Sequence, residues 1–194
     1  MNHYPVFLDL TGRNVLLVGD GPAAEGKEQA LLEAGAKIRR VNASDFRPGH
    51  LKDVVLVIYA TSDEDFNARV SALAAAQRIF CNVVDRPALC SFIAPAVVRK
   101  GHVQIAISTG GRSPALAVRL KEEIAKTVGD EYGELLELLA SLREQVAARN
   151  PTPEARARVF HSMVDSPALD LLRNGRPDEA RRLLESLAPR KGSA

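Results

Sequence analysis

The chain has 194 residues, of which 46% are apolar and 26% are charged, and its formal net charge is +2. These values are typical of a globular protein of one domain with an extension, or of two small domains. The small charge and the scattered basic residues argue against nucleic acid as a partner, and no apolar stretch reaches the roughly 18 residues that span a membrane.

The first half of the chain alternates between strand-like and helix-like segments. The run VVLVIYAT at 54–61 is apolar almost throughout, which is typical of a strand buried on both faces. Alternation of this kind predicts an α/β domain with a parallel sheet. We predict strands at 6–10, 14–19, 37–41, 54–61 and 79–85, and helices at 22–34 and 63–77.

The second half begins with two β-like runs over 91–109, broken by Arg-Lys-Gly, which predict an antiparallel hairpin. A helix follows over 113–128, with Ser113 as its N-cap. Everything after residue 130 is helical in pattern except the tail from Pro189, for which we predict disorder. We divide the chain into a Rossmann-like domain that includes the start of the hairpin, linking helices, and a helical C-terminal domain, at 1–112, 113–150 and 151–194.

A glycine-rich segment, VLLVGDGPAAEGK, joins the second predicted strand to the first helix. Gly19, Gly21 and Ala24 give the pattern G-x-G-x-x-A, in which the glycines permit a tight turn and close approach of a phosphate. The following helix N-terminus offers free N–H groups to an anion. The spacing alone fits both a pyrophosphate site and a simple tight turn.

Two features weaken the dinucleotide interpretation. Pro22 has no N–H to offer the pyrophosphate, and residues 42–44, Asn-Ala-Ser, stand where a ribose-binding carboxylate is usual. The amide or the hydroxyl of that tripeptide is an alternative ribose ligand. Arg39 and Arg40 leave two alternatives open, a 2′-phosphate contact that selects NADP and a solvated basic strand end.

Four segments together resemble the N-terminal module of siroheme synthase, the precorrin-2 dehydrogenase family, some of whose members are also sirohydrochlorin ferrochelatases. The similarity runs from about residue 4 to 128, and the NVVD and STGGRSP motifs are its most specific parts. The segments are FLDLTGRNVLLVGDGPAAEGKEQALLEAGA, LVIYATSDEDFNARV, IFCNVVDRPALCSFIAPAVV and QIAISTGGRSPALAVRLKEEI.

The resemblance implies that precorrin-2, a macrocycle rich in carboxylates, loses a hydride to NAD and becomes sirohydrochlorin. In bifunctional members ferrous iron is then inserted as a co-substrate. It also implies a homodimer, with the hairpin and the helix after it as the dimerisation element. We expect a cytoplasmic protein with reduced Cys81 and Cys90 and no resident metal site, because no export signal and no metal-ligand spacing is present.

The resemblance also implies roles for individual residues. Asp85 of NVVD is the catalytic residue, although its position alone equally fits a cap on the turn before Pro87. Thr61 and Asp63 lie beside the cofactor, and Ser62 or Asp63 also fits as a helix cap. The implied cofactor-binding residues are Gly19, Gly21, Pro22, Ala23, Ala43, Ser44, Thr61 and Asp63. The implied substrate-binding residues are Asn82, Thr109, Gly110, Arg112 and Ser113.

One departure from the family pattern concerns the crossover after the strand at 37–41. Only residues 42–53 precede the next strand, which barely suffices for a parallel crossover. The usual edge strand and its helix are missing beside the expected adenosine pocket. Two alternatives to the dehydrogenase therefore stay open: a chelatase that has lost NAD binding, and a tetrapyrrole-binding module without activity.

Overall fold

The computed structural model describes residues 3–188. The chain forms two compact units, each with its own core. The first unit comprises the residues up to 94 together with 109–113, and the second comprises 95–108 and the residues from 114 onward. The predicted division into three domains stays a prediction, and the tail from Pro189 lies outside the described residues.

A parallel sheet of four strands forms the centre of the first unit, in the order β2-β1-β3-β4. The central β1 is apolar and buried along nearly its whole length, because elements cover both of its faces. The α/β sheet predicted from the alternation is confirmed. The strands are β1 (Asn14–Gly19), β2 (Lys37–Val41), β3 (Leu56–Ala60) and β4 (Phe80–Val83).

Two helices, α1 (Gly21–Glu33) and α2 (Glu64–Ala76), pack on the two faces of the sheet. On one face Val15 and Leu17 meet Leu31 of α1, and on the other the neighbouring strand residues belong to the same core as Phe66 and Val70 of α2. Successive side chains of β1 therefore point to opposite faces of the sheet and pack into different cores. Because both faces are covered, the buried residues of the strand are all apolar and do not alternate with polar ones.

The strand predicted at 6–10 is wrong. These residues have no regular secondary structure, and the side chains of Val6 and Phe7 are 59% and 68% exposed. Only the end of the segment is anchored, where Leu10 is buried and Gly12 N donates to Gly35 O at 2.8 Å. Strand propensity needs a sheet edge to pair with, and this segment pairs with none.

The crossover from β2 to β3 contains no α-helix, as its length predicted. Two short 3₁₀ turns, Ala43–Asp45 and Pro48–Leu51, carry the chain across one face of the sheet. Phe46 between them packs edge-on against Tyr59 and Phe66, with ring centroids 5.9 and 5.6 Å apart. This aromatic cluster takes the place of a crossover helix and leaves β2 as an edge strand with basic side chains, which oppose edge-to-edge pairing.

The second unit begins with an antiparallel hairpin and continues as helices around a core of their own, as predicted. No helix within residues 3–188 has the length and apolar character needed to cross a membrane. The elements are β5 (Ala96–Lys100), β6 (Val103–Ile107), α3 (Pro114–Thr127), α4 (Glu131–Ser141), α5 (Arg143–Arg149), α6 (Pro153–Val164), α7 (Ala168–Arg173) and α8 (Pro177–Leu187).

The hydroxyl of Tyr59 is the one polar feature in the aromatic cluster that lacks a hydrogen-bond partner among the described residues. The side chain is fully buried, and this burial raises the pKa of Tyr59 well above its usual value, so that the group stays neutral. A hydroxyl that is buried without a hydrogen-bond partner destabilises the folded state, because its hydrogen bonds to water are lost and not replaced.

We expect Tyr59→Phe to raise the free energy of unfolding by about 1 kcal/mol, because it removes this cost and keeps the ring. Urea denaturation of both proteins measures the change. Tyr132→Phe is the matched control, because the Tyr132 hydroxyl accepts a hydrogen bond from Arg173 at 3.3 Å and its loss is expected to cost stability. A less stable Tyr59→Phe protein would contradict the prediction.

Candidate functional site

A cleft of about 820 Å³ opens at the carboxyl ends of the parallel strands, within the first unit. Its volume lies in the range of small-molecule and cofactor sites. The chain leaves β1 toward β2 on one side and reaches β3 on the other, so the cleft lies at the switch point where ligands bind in open α/β sheets. It is lined by Gly19, Asp20, Ala23, Asn42, Ala43, Ser44, Ala60, Thr61, Ser62, Asp63, Val84, Asp85 and Arg86.

The glycine turn forms one wall of the cleft. Gly19 has φ +118°, and a Cβ there would lie 2.2 Å from the carbonyl oxygen of Ala60, so only glycine fits. Gly21, with φ +74°, has open space around it, and Ala24 is fully buried where α1 meets the sheet. Each small residue therefore meets the steric requirement that the sequence pattern predicted for it.

The start of α1 fits an anionic group. Its N-cap residue, Asp20, makes no side-chain capping bond, and the first turn contains no acidic residue. The first-turn N–H groups, apart from the one that Pro22 lacks, therefore receive no side-chain cap. This turn and the adjoining cleft together fit the pyrophosphate of a dinucleotide.

The turn after β3 forms the second wall and is held by two polar side chains. Asp63 caps α2 by accepting from Phe66 N at 2.9 Å, as one of the predicted alternatives required. The Thr61 hydroxyl donates to Asn67 Oδ1 at 2.7 Å, and Asn67 Nδ2 donates to Thr61 O at 3.1 Å. Asn67 is 1% exposed, so its half of this clamp is shielded from water, while Thr61 is half-buried at the cleft.

Sequence reasoning missed Asn67. The signal that indicates it is a polar residue within the apolar face of α2, beside Phe66 and Val70. A polar side chain in such a position needs hydrogen-bond partners inside the protein. Asn67 has these partners in Thr61, in the turn that lines the cleft.

Asp85 lies two residues beyond β4, in a left-handed conformation with φ +59°. The turn around it is fixed by two backbone bonds, from Val84 N to Tyr59 O at 2.9 Å and from Arg86 N to Val83 O at 3.1 Å. Among the described residues the Asp85 carboxylate accepts no hydrogen bond, whereas Arg86 pairs with Glu64. The alternative that Asp85 caps its own turn therefore has no hydrogen bond to support it.

The end of β2 forms the wall where an adenosine ribose is expected. Asn42 Nδ2 and Ser44 Oγ both reach the carboxylate of Asp45, at 3.5 and 3.4 Å. Arg40 makes an ion pair with Glu28 at 2.8 Å and donates to Gly19 O at 3.3 Å. Asp45, one turn further along the chain, thus holds the two polar side chains that follow the strand, while Asp45 itself is not among the residues that line the cleft.

The structure brings seven of the predicted site residues together in the cleft lining. The other seven lie elsewhere in the first unit, Gly21 and Pro22 among them at the start of α1. The seven that line the cleft are Gly19, Ala23, Ala43, Ser44, Thr61, Asp63 and Asp85, and those that do not are Gly21, Pro22, Asn82, Thr109, Gly110, Arg112 and Ser113.

Asn82 is buried, and its amide donates to Phe92 O at 3.1 Å. Thr109 and Ser113 bind one another, because the Thr109 hydroxyl donates to Ser113 O at 3.0 Å and accepts from Ser113 N at 3.2 Å. A Cβ on Gly111 of this loop would lie 3.8 Å from Pro87, so the loop packs beside the Asp85 turn.

The cleft lining is acidic. Asp20, a residue that sequence reasoning did not single out, joins Asp63 and Asp85, whereas the guanidinium of Arg86 already pairs with Glu64. The position of Asp20 between the two glycines of the G-x-G-x-x-A pattern is the signal that indicates it. Among residues 3–188 no group of three His, Cys, Asp or Glu side chains is placed to hold a metal ion.

The strand order, the glycine turn and the cleft define a Rossmann-like nucleotide-binding domain. Three family models match successive parts of the chain. Residues 6–96 match a model described as putative NAD(P)-binding, residues 100–127 the central model of sirohaem biosynthesis proteins, and residues 131–187 the sirohaem synthase dimerisation region.

Curated relatives agree with these models. The chain is 38% identical to the siroheme synthase of Thioalkalivibrio sulfidiphilus and 36% identical to those of Xylella fastidiosa and Methylococcus capsulatus, over 94–95% of its own length. It spans only 42–43% of the length of these relatives. The solved structure of SirC, a precorrin-2 dehydrogenase, shares the fold, with a TM-score of 0.75 at 23% identity over 95% of this chain and 100% of that chain.

The chain therefore belongs to the siroheme synthase N-terminal module family, as its sequence motifs predicted. It carries the NAD(P)-binding domain of that family in its first half and the dimerisation region toward its C-terminal end.

We expect Asn67→Ala to lower the free energy of unfolding by about 1–3 kcal/mol, because it removes a buried side chain that makes two hydrogen bonds to the half-buried Thr61. Urea denaturation measures this loss. Asn14→Ala is the matched control, since its exposed amide makes a single bond, to Asp53 O at 3.2 Å, and its removal is expected to change stability by less than about 0.5 kcal/mol. Equal losses in the free energy of unfolding for the two substitutions would refute the proposed stabilising role of the Asn67–Thr61 clamp.

Proposed function

We propose that the chain catalyses the NAD-dependent oxidation of precorrin-2 to sirohydrochlorin, a step of siroheme biosynthesis. The observation that carries the proposal is the position of Asp85, which lines the same cleft as Gly19 of the glycine turn and Thr61. The siroheme synthase relatives and the name of the SirC neighbour agree with this activity.

The reaction removes a hydride and a proton from the substrate. When bound, NAD⁺ supplies the hydride acceptor. Asp85 takes the proton as a general base, a role that suits a carboxylate without an ion pair to a described residue. The turn from Gly19 to Ala23 would hold the pyrophosphate, and the clamped turn at Thr61 would contact the bound cofactor on the side of Asp85.

The substrate is a polyanionic ring, so its carboxylates need positively charged or N–H partners outside the acidic lining. We assign these contacts to the loop 109–113, which packs beside the Asp85 turn and carries the exposed Arg112. Two positive-φ glycines, Gly110 and Gly111, leave the backbone of this loop open to close approach. The proposed role of the buried Asn82 is to brace the turn.

We further propose that the protein acts as a cytoplasmic homodimer. The match to a sirohaem synthase dimerisation region supports the dimer. The two free cysteines, Cys81 and Cys90, suit a reducing compartment.

Asp85→Asn tests the proposed function. We expect the rate of precorrin-2 oxidation, followed by absorbance, to fall by about 10²–10⁴-fold because the proton acceptor is lost. The affinity for NAD, measured by calorimetry, is expected to stay within about twofold, because Asp85 does not hold the pyrophosphate.

Asp65→Asn is the control for this test, because it removes one exposed carboxylate from the first turn of α2, outside the cleft lining. Normal turnover by Asp85→Asn would refute the assigned role. Supplying sirohydrochlorin and ferrous iron to the wild-type protein tests the iron-insertion step separately, and a wild-type protein that inserts iron without oxidising precorrin-2 would favour the chelatase alternative.

The surroundings of the ribose wall favour NAD over NADP. A 2′-phosphate there would approach the Asp45 carboxylate. Of the nearby arginines, Arg40 already pairs with Glu28, and the Arg47 guanidinium donates to the carbonyl oxygens of Ser44 and Phe46. We therefore assign the ribose hydroxyls to Asn42 and Ser44, with Asp45 behind them.

We expect the wild-type protein to bind NAD at least about tenfold more tightly than NADP, and Asp45→Asn to narrow that ratio. Calorimetry with both cofactors measures it. Glu28→Gln is the complementary variant, because releasing Arg40 is expected to strengthen NADP binding and leave NAD binding unchanged. Tighter binding of NADP by the wild-type protein would reverse the assignment.

A further inference from the structure

The outer edge of β4 is covered by the segment Leu89–Phe92, which we call the β4 strap. β4 pairs with β3 through one set of its backbone groups, and the other set, on Cys81 and Val83, points away from the sheet. Those groups need partners, because β4 is the last strand of the sheet. The strap supplies them with its backbone and with two side chains.

Ser91 serves the first of these positions. Its N–H donates to Cys81 O at 2.8 Å, and its hydroxyl accepts from Cys81 N at 2.7 Å. Ser71 of α2 fixes the other end of the strap by donating to Leu89 O at 2.7 Å. The strap therefore follows β4 as an irregular neighbouring strand.

The thiol of Cys90 serves the second position, next to Asp85. It accepts from Val83 N at 3.2 Å, and its hydrogen faces two carbonyl oxygens, Val83 O and Arg86 O, each 3.3 Å away. Asn82 Nδ2 lies 3.6 Å from the same sulfur. The sulfur thus joins the last residue of β4 to the residue that follows Asp85.

We propose that the β4 strap, through the Cys90 thiol, positions the Asp85 turn at the cleft. Asp85 itself has φ +59°, a conformation that an aspartate adopts at some cost and keeps only when its surroundings impose it. The thiol bridges both flanks of that residue, so it is a positioning residue for the carboxylate. The inference rests on the proposed function only for the role of Asp85.

The surroundings keep the thiol protonated. Partial burial raises the pKa of Cys90, and the bond from Val83 N opposes that rise without cancelling it. A protonated sulfur retains the hydrogen that it needs as a donor to the two carbonyl groups.

Amide hydrogen exchange in the ¹⁵N-labelled protein tests the strap without any ligand. We expect Cys90→Ala to accelerate exchange of the Val83 and Arg86 N–H groups by about tenfold, while the β1 amides stay protected. Cys90→Ser is expected to restore most of the protection, because a hydroxyl also donates and accepts.

Val70→Ala is the control for general destabilisation, because this fully buried residue belongs to the core against which Leu89 and Cys90 pack, and its truncation leaves every hydrogen bond of the Cys90 thiol in place. It is expected to accelerate exchange across the whole sheet. Unchanged exchange at Val83 and Arg86 in Cys90→Ala, or a change no more local than that of Val70→Ala, would overturn the proposal.

Turnover supplies the second readout. In an active enzyme we expect Cys90→Ala to lower kcat for precorrin-2 by about tenfold with KM for NAD unchanged, since only the placement of Asp85 is disturbed. Faster exchange with normal kcat would refute the positioning role. A wild-type protein without dehydrogenase activity would refute the proposed function. In that case the hydrogen-exchange result alone decides whether the β4 strap positions the Asp85 turn.

Discussion

The close contact between the ends of β1 and β3 is the constraint on which the cleft depends. Gly19 lies so near the Ala60 carbonyl that no side chain fits between them. Because the two strands run side by side there, the turns that follow them must diverge, one into α1 and the other into α2. The opening between those turns is the cleft, and a bulkier residue at position 19 would force the two strand ends apart.

The walls of the cleft are held by side chains that do not face a ligand. Asn67 fastens the turn at Thr61, and the strap with Cys90 fastens the turn at Asp85. Each fastener satisfies backbone groups that would otherwise be unpaired, so stability and preorganisation come from the same bonds. The lining residues are then free to meet a ligand without first being ordered by it.

The short crossover changes the adenosine side of the cleft and leaves the Asp85 side intact. Phe46 fills the space of a crossover helix by packing on Tyr59 and Phe66. The same short turns bring Asp45 next to Asn42 and Ser44. A domain that lacks the usual crossover helix thus still places two polar side chains, held by a carboxylate, at this wall of the cleft.

The sequence by itself determined the parallel α/β sheet, the hairpin and the glycine turn, because each depends on local spacing and on hydrophobic period. The resemblance of its motifs gave the family. The same resemblance indicated Asp85 and Thr61, which lie just beyond the ends of two buried strands. Only the tertiary structure decided that residues 6–10 pair with no strand, that Arg86 is held by Glu64, and that Asp45, Asn67 and Cys90 support the site. Most of these outcomes depend on partners that are distant in the chain, and Asp45 depends on a turn whose direction local propensity does not set. The hydrogen-bond partner of a side chain is fixed only when the helices and strands pack together.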